Sequence, residues 1–366
     1  MKISPLERGT RLRDTGGSLF EADSKKIKNR TTFCAVVPAF NEECVIENSL
    51  SSLKKAIPEE DIYVVSDGSN DKTAIIAKRV VPNVFALRNN RGKAGALHAL
   101  IEKYHLTDRY KYIFFFDADT KVEPDLLKEV RKYTKSKPAL IVGTVTSQKN
   151  KLISAYRVYE YGFSHRLFKT AQSHMGAITV APGCISFYRA DVMKQLDFSK
   201  KTLTEDYDLT IQIHRKKLGN IIYAPKARVI TQDPPTIGDY IKQMNRWYTG
   251  AWQNMFNYKL YIPKDKLSVE VILLTLDTLV WIALLILSLA HPLFMLTMYG
   301  LSMMSMWAIA IVVILMEKQF WAIKYIPLFG IFQFLNLCIF VSSFFRTIFM
   351  GTKTLSWQKV GRYAHP

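Results

Sequence analysis

Residues 112–122 read YIFFFDADTKV: a short run of aromatic and β-branched side chains, then two aspartates separated by one alanine. The residue types are those that fill strands, and the run is shorter than a buried helix needs. It predicts a strand over Tyr112–Phe116 that ends in the polar turn DADTKVEP. Working outward, similar runs stand at Thr32–Val37, Ile62–Val65 and Val84–Leu87. Helix-like segments lie near Glu42–Ala56, Asp71–Arg79, Lys93–Tyr104 and Pro124–Tyr133. Strands alternating with helices at this spacing predict an α/β domain on a mainly parallel sheet. The first strand runs into PAFNEE and the second into SDGSND. Ligands of open α/β sheets bind beyond the carboxyl ends of the strands, so these turns and the DAD turn should converge on one crevice.

Hydrophobic residues make up 49% of the 366 positions, but unevenly. Charged and apolar residues mix up to about Lys266, whereas Ser268–Met350 is almost continuously apolar. The division expected is a polar N-terminal segment (1–31), a catalytic head with interfacial helices (32–265), a membrane domain (266–350) and a C-terminal tail (351–366). Ser268–Ala290, Leu293–Met316 and Tyr325–Met350 are each near or above the roughly twenty residues that cross a bilayer. Three full crossings would leave Lys353, Lys359 and Arg362 opposite the head, against the preference of basic residues for the cytoplasm. The third segment, which carries Pro327, Gly330 and Arg346, is therefore the one expected to be re-entrant or interfacial. The first thirty residues hold no apolar run for a signal peptide or span. A multi-pass protein of the cell (plasma or inner) membrane follows, with its head on the cytoplasmic side. Between Lys151 and His174, tyrosine and phenylalanine recur at helical spacing, as in an amphipathic helix facing either membrane or core.

The formal net charge of +19 suits a solvated basic face near lipid and a phosphorylated substrate. Neither a basic helix interleaved with aromatics nor zinc-finger spacing is present, so nucleic acid is not an expected partner. Cys34, Cys44, Cys184 and Cys338 are widely spaced and form no CxxC pair, which reads as reduced structural thiols.

Asp117 and Asp119 follow their strand directly, and two carboxylates from one turn suit a hard divalent cation that keeps positions for phosphate oxygens, Mg2+ or Mn2+. Asp67, before Gly68 and Ser69, also ends a strand, where it can accept hydrogen bonds from a base or ribose; ordinary turn chemistry is the alternative. Pro38, Asn41 and Glu42 close the first strand in the same way. Lys93, in NRGKAGALH, opens a helix and can reach a phosphate or the base. In LTEDYDLT, Thr204 is placed to cap a helix running through Ile213. Glu205 and Asp206 follow it, either as ordinary first-turn acids of that helix or as the catalytic pair, with Asp206 the general base toward an acceptor hydroxyl. Gln243, Arg246 and Trp247 share one region of a later helix and combine an amide, a planar cation suited to phosphate and a flat apolar surface suited to a sugar ring.

In order, PAFNEE, SDGSND, RGKAGALH, DAD, APGCISFYR, TED and QMNRW resemble the inverting family 2 glycosyltransferases of GT-A fold. The resemblance is greatest to the cellulose, chitin and hyaluronan synthase group with its Q-x-x-R-W signature, and it spans about Thr32–Trp252. It implies that Glu42 and Asp67, with Pro38 beside them, hold the nucleoside of a UDP-sugar, and that Asp117 and Asp119 hold the metal diphosphate. It also implies Asp206 as base, Gln243, Arg246 and Trp247 over the donor diphosphate and acceptor end, and Gly183 and Cys184 near the acceptor. Many relatives read Asp-Asp-Gly where this chain has Ser66, Asp67 and Gly68. The function expected is sugar transfer to a growing polysaccharide. The alternatives are a single transfer to a membrane lipid, as in ceramide glucosyltransferases, or a non-catalytic nucleotide-sugar-binding membrane subunit. An intact DAD and TED argue against the last. Saccharide or lipid acceptor, membrane lipid and other copies of the chain are the partners expected beside the donor.

Overall fold

The computed structural model describes residues 31–149, 151–198, 202–288, 290–350 and 360–363; residues 1–30, Lys353 and Lys359 lie outside them. The strands are β1 (Thr31–Ala39), β2 (Ile62–Asp67), β3 (Asn83–Leu87), β4 (Tyr110–Phe115), β5 (Lys121–Val122), β6 (Leu140–Ser147), β7 (Ser186–Arg189) and β8 (Ile221–Thr231). The helices that matter here are α1 (Ile46–Leu53), α2 (Thr73–Val80), α3 (Gly92–Lys103), α4 (Leu126–Arg131), α5 (Leu152–Phe163) and α6 (Glu205–Arg215). They are followed by α7 (Ile237–Asn257), α8 (Lys266–Ser288), α9 (Pro292–Met316) and α10 (Phe329–Met350).

Among the described residues the strands form one sheet in the order β3-β2-β1-β4-β7-β6-β8-β5. Pairings β1–β2, β1–β4, β2–β3 and β6–β8 are parallel, whereas β7 runs antiparallel to both neighbours and β5 antiparallel to β8. Strand order reverses around β1, so the gap beyond the carboxyl ends of β1 and β4 is the switch point at which such sheets bind ligands.

The alternation of a strand supplies both faces of the sheet at once. Phe33, Ala35 and Val37 enter one core with α1, α2 and α4. Cys34 and Val36 enter the other, with α3 and α6. Phe114 of β4 stacks on Phe187 of β7 at 4.1 Å between ring centroids, a pairing worth about 0.5–1.5 kcal/mol beyond its buried area. This contact helps seat the antiparallel strand in the middle of the sheet.

The aromatic segment after Lys151 forms α5, continues through a π-helical turn, Ser164–Lys169, and ends at Met175. Its face packs inward: Tyr156 stacks on Phe332 at 4.7 Å and meets Phe329 edge-on. Among the described residues three helices are long and apolar enough to cross a membrane, Lys266–Leu284, Leu293–Met316 and Phe320–Phe349. The last begins as a 3-10 stretch, Phe320–Leu328, with Pro327 inside it. α10 then lies along α7 in the same direction, through Tyr240 on Phe332, Tyr248 on Phe340 and Trp252 on Phe344. Glu317, just beyond α9, is almost buried and pairs with Arg166 and with Arg228 of β8. The end of α9 is thereby pinned to the head.

Candidate active site

The turns after β1 and β2 are stitched together. Asn41, in the left-handed region at φ 54°, accepts from the Asn70 amide at 2.8 Å and donates its own amide to Ser69 Oγ at 3.1 Å. The Glu42 amide donates to Thr73 Oγ1 at 2.7 Å. Pro38 lies in β1 next to Val65 of β2, half-buried at the crevice end of the strand. Asp67 is buried and accepts from the Arg91 amide at 2.7 Å; burial pushes its carboxyl up, against the pull of the Arg91 and Gly92 amides. Gly68 makes this close approach possible. Its φ is 68°, and a Cβ there would lie 2.6 Å from the Asn90 backbone nitrogen. Asp67 therefore fixes the RGK loop as well as facing the crevice.

That loop delivers Lys93 between two acids, with Nζ 2.7 Å from Asp117 Oδ1 and 3.1 Å from Glu205 Oε1. Burial disfavours the ammonium, but Asp117, Glu205 and Asp206 outweigh it and hold Lys93 charged. Asp206, second residue of α6, accepts from the Tyr207 amide at 2.8 Å and the Gly183 amide at 3.3 Å. Burial, and then the Glu205 charge, push its carboxyl up to about 6, while Lys93 and Arg246 pull the other way. Gly183 leaves room for Lys93 where it stands, since a Cβ would lie 2.7 Å from Lys93 Nζ and displace it. The Cys184 side chain points instead into the apolar core with Phe187. Thr204 precedes α6, but its side chain does not cap the helix. This corrects the expectation of a Thr204 cap, because Asn254 of α7 donates to its Oγ1 at 3.1 Å.

The two aspartates of DAD face different cations. Asp119 Oδ2 meets Arg362 Nη1 at 2.8 Å, and Arg362 Nε reaches Glu42 Oε2 at 3.1 Å. Arg362, like the two basic residues with it in the tail, would lie opposite the head if all three apolar segments crossed; the structure brings it into the crevice. Lys169 was also missed. Its Nζ donates to the Val180 carbonyl at 2.6 Å, and burial lowers its pKa to about 8 although Asp206 supports the charge. Neither residue belongs to a local pattern, so no signal in the sequence pointed to them.

α7 carries Gln243, Arg246 and Trp247 across the crevice. Arg246 Nε is buried with no hydrogen-bond partner among the described residues, and the Arg246 charge acts on Asp206. Gln243 Oε1 accepts from Arg157 Nη2 at 2.5 Å, and the same guanidinium lies 4.7 Å from the Trp247 ring centroid. The only local sign of Arg157 in the sequence was an arginine three residues before Glu160 in an otherwise aromatic stripe.

Among the described residues no three His, Cys, Asp or Glu side chains gather to hold a metal alone. Asp117 and Asp119 nevertheless fit a magnesium-type ion, which takes one or two carboxylates and fills its sphere with water and phosphate oxygens. Both carboxylates already attract a cationic side chain, Lys93 and Arg362 respectively.

A parallel half-sheet, two aspartates after its central strand and a buried carboxylate beside them are the features of a GT-A-type domain. Residues 30–250 match the family described as "Glycosyltransferase like family 2", and the chain belongs to that family. It is 28% identical over 250 residues to the poly-beta-1,6-N-acetyl-D-glucosamine synthase of Staphylococcus epidermidis, covering 65% of this chain and 59% of that protein. The synthase of the same description from Staphylococcus aureus (strain MSSA476) is 28% identical over 227 residues, 59% of this chain and 53% of that protein. The chain thus spans just over half the length of these relatives. In fold it is similar to a mannosyltransferase from Pyrobaculum calidifontis in complex with GDP-Man and Mn2+, with a TM-score of 0.57, 16% identity, and 91% of this chain and 94% of that chain covered.

Proposed function

We propose that this protein moves a sugar from a UDP-sugar to a hydroxyl of a growing polysaccharide, with inversion at the anomeric carbon and Asp206 as base. The observation that carries the reading is the Asp206 carboxylate, held at about 6 beside Lys93, Glu205 and the Gly183 amide. A carboxylate of that pKa is ionised at neutral pH and still basic enough to take a proton in the transition state. Asp206 accepts the acceptor proton as that oxygen bonds to the anomeric carbon, and the bond to the nucleoside diphosphate breaks. Lys93, held by Asp117 and Glu205, and Arg246, with its Nε buried, face the charge that develops on the leaving group. Mg2+ or Mn2+ bound through Asp117 and Asp119 would supply further neutralisation of the diphosphate. Glu42 and Asp67, with Pro38, line the nucleoside end.

Support for a polymeric product comes from the likeness to two polysaccharide synthases together with the membrane helices. The test is purification in detergent and incubation with a panel of radiolabelled UDP-sugars and Mn2+ or Mg2+, scoring product size. One donor yielding a high-molecular-mass product supports the reading; a single sugar added per acceptor under excess donor counts against it.

One observation favours a second reading, a single transfer to a glycolipid. A cavity of about 940 Å3 lies among α8, α9 and α10 and reaches Val180 and Tyr207, the neighbours of Gly183 and Asp206. Its walls include Leu274, Met298 and Leu337 beside Trp252, a lining suited to a hydrocarbon chain. In the same assay this reading gives a short, organic-extractable product.

A further inference from the structure

Arg157 lies in α5, outside the motif-bearing turns, and is fully buried. An isolated charge at such depth is costly, and the site offsets it with carboxylates. Arg157 Nη1 pairs with Glu160 one turn along the same helix, and the buried Asp233 adds attraction from β8's end. Apart from the Tyr161 ring of its own helix, 5.5 Å away, the remaining contacts are directed at α7. Nη2 donates to Gln243 Oε1 at 2.5 Å and approaches Met244 Sδ at 3.3 Å. The flat of the guanidinium lies over Trp247 at 4.7 Å and Tyr240 at 4.8 Å.

We propose that Arg157 is the positioning residue of the Q-x-x-R-W helix, setting the flip of the Gln243 amide and the plane of the Trp247 ring. The chemistry is specific. A guanidinium only donates, so the Gln243 carbonyl must turn toward it, and the Gln243 amide nitrogen, with its two N–H donors, is presented away from Arg157. The same planar group supports Trp247 by cation–π contact, so both side chains are set by one rigid group that lies outside the motif. Lysine keeps the charge but lacks the fork and the plane, and it cannot reach Glu160, Gln243 and Trp247 together. The proposal rests on the reading of Gln243 and Trp247 as groups over the donor diphosphate and acceptor end. That reading has its own measurement in the kcat of Gln243→Ala alone, where a wild-type rate would remove the role of Gln243 itself, so the two can fail separately.

The experiment is a double-mutant cycle on the full chain in detergent, with Arg157→Lys, Gln243→Ala and the pair, recording kcat, KM and thermal stability. Arg157→Lys lowers kcat about 10-fold or more, and lowers it by a clearly smaller factor once Gln243 is alanine, the remainder being the share that passes through Trp247. Multiplicative losses, or a melting-temperature drop with kcat per folded enzyme unchanged, would overturn it. Should Arg157→Lys not fold, Gln243→Glu decides. It retains the acceptor for Arg157 and removes the amide donor, so it should fold stably and lose about 10-fold or more in kcat; a wild-type rate in Gln243→Glu overturns the proposal.

Discussion

At Asp206, the proposed catalytic use and stability oppose each other. Its carboxyl is raised from 3.8 to about 6, so the folded state binds the proton more tightly than the unfolded chain between those values. Stability from this group therefore falls as pH rises through that window and stays reduced above it. Asp206→Asn should melt about 2–4 °C higher than wild type at pH 8 and show no gain near pH 3.5; equal melting at both pH values would contradict the burial argument. The same shift sets the acid limb of the rate, which should rise with pH to a plateau above about 6 as the base loses its proton. Gly183 gives a second residue-level expectation. The atom that a methyl would strike, Lys93 Nζ at 2.7 Å, ends a flexible side chain and can move. Gly183→Ala should thus keep its melting temperature within about 2 °C while losing about 10-fold or more in transfer rate, because Lys93 leaves Asp117 and Glu205. A wild-type rate in that variant would mean that Lys93 is not needed where it stands.

Among the elements, the end of α9 depends on one nearly buried acid. Glu317 serves Arg166 and Arg228 at once, and Glu317→Ala would take the carboxylate from Arg166 and leave Arg228 with Glu123 alone, at a cost on the order of 2 kcal/mol. The measurement is thermal unfolding in detergent, where a drop of several degrees is expected. How legible an element was in the sequence follows the range of the interactions that make it. β1, β2 and β4 end where their apolar runs meet PAFNEE, SDGSND and DAD, since side-chain alternation and turn chemistry are local. β7, four residues long, was not visible, because its place depends on Phe187 meeting Phe114 from a distant part of the chain. The motif residues of the site were readable one by one. Their partners Arg157, Lys169 and Arg362 were not, since each reaches the site by packing rather than by spacing. Thr204 shows the converse: a sound local capping rule yields to the Asn254 side chain of another helix.

At the scale of the molecule, the head holds both ends of the apolar region. Asp265, just before α8, pairs with Arg215 of α6 at 2.6 Å, and Arg362, beyond α10, meets Asp119 and Glu42 in the crevice. If the region enters a bilayer from the head's side, the chain between these anchors crosses it an even number of times. A helical hairpin of α8 and α9 with α10 lying along α7 satisfies this. A green fluorescent protein fused after Pro366 should then fluoresce, as cytoplasmic fusions do, while an alkaline phosphatase fused there stays inactive; the reverse pattern would refute this topology. The proposed mechanism puts the Asp206 carboxylate at the meeting of donor and acceptor, and the most direct test is the rate of sugar transfer by Asp206→Asn in the purified full chain, with the donor that wild type uses. Loss of a positioned base predicts a fall of about 100- to 10,000-fold with UDP binding retained. An undiminished rate would contradict the account.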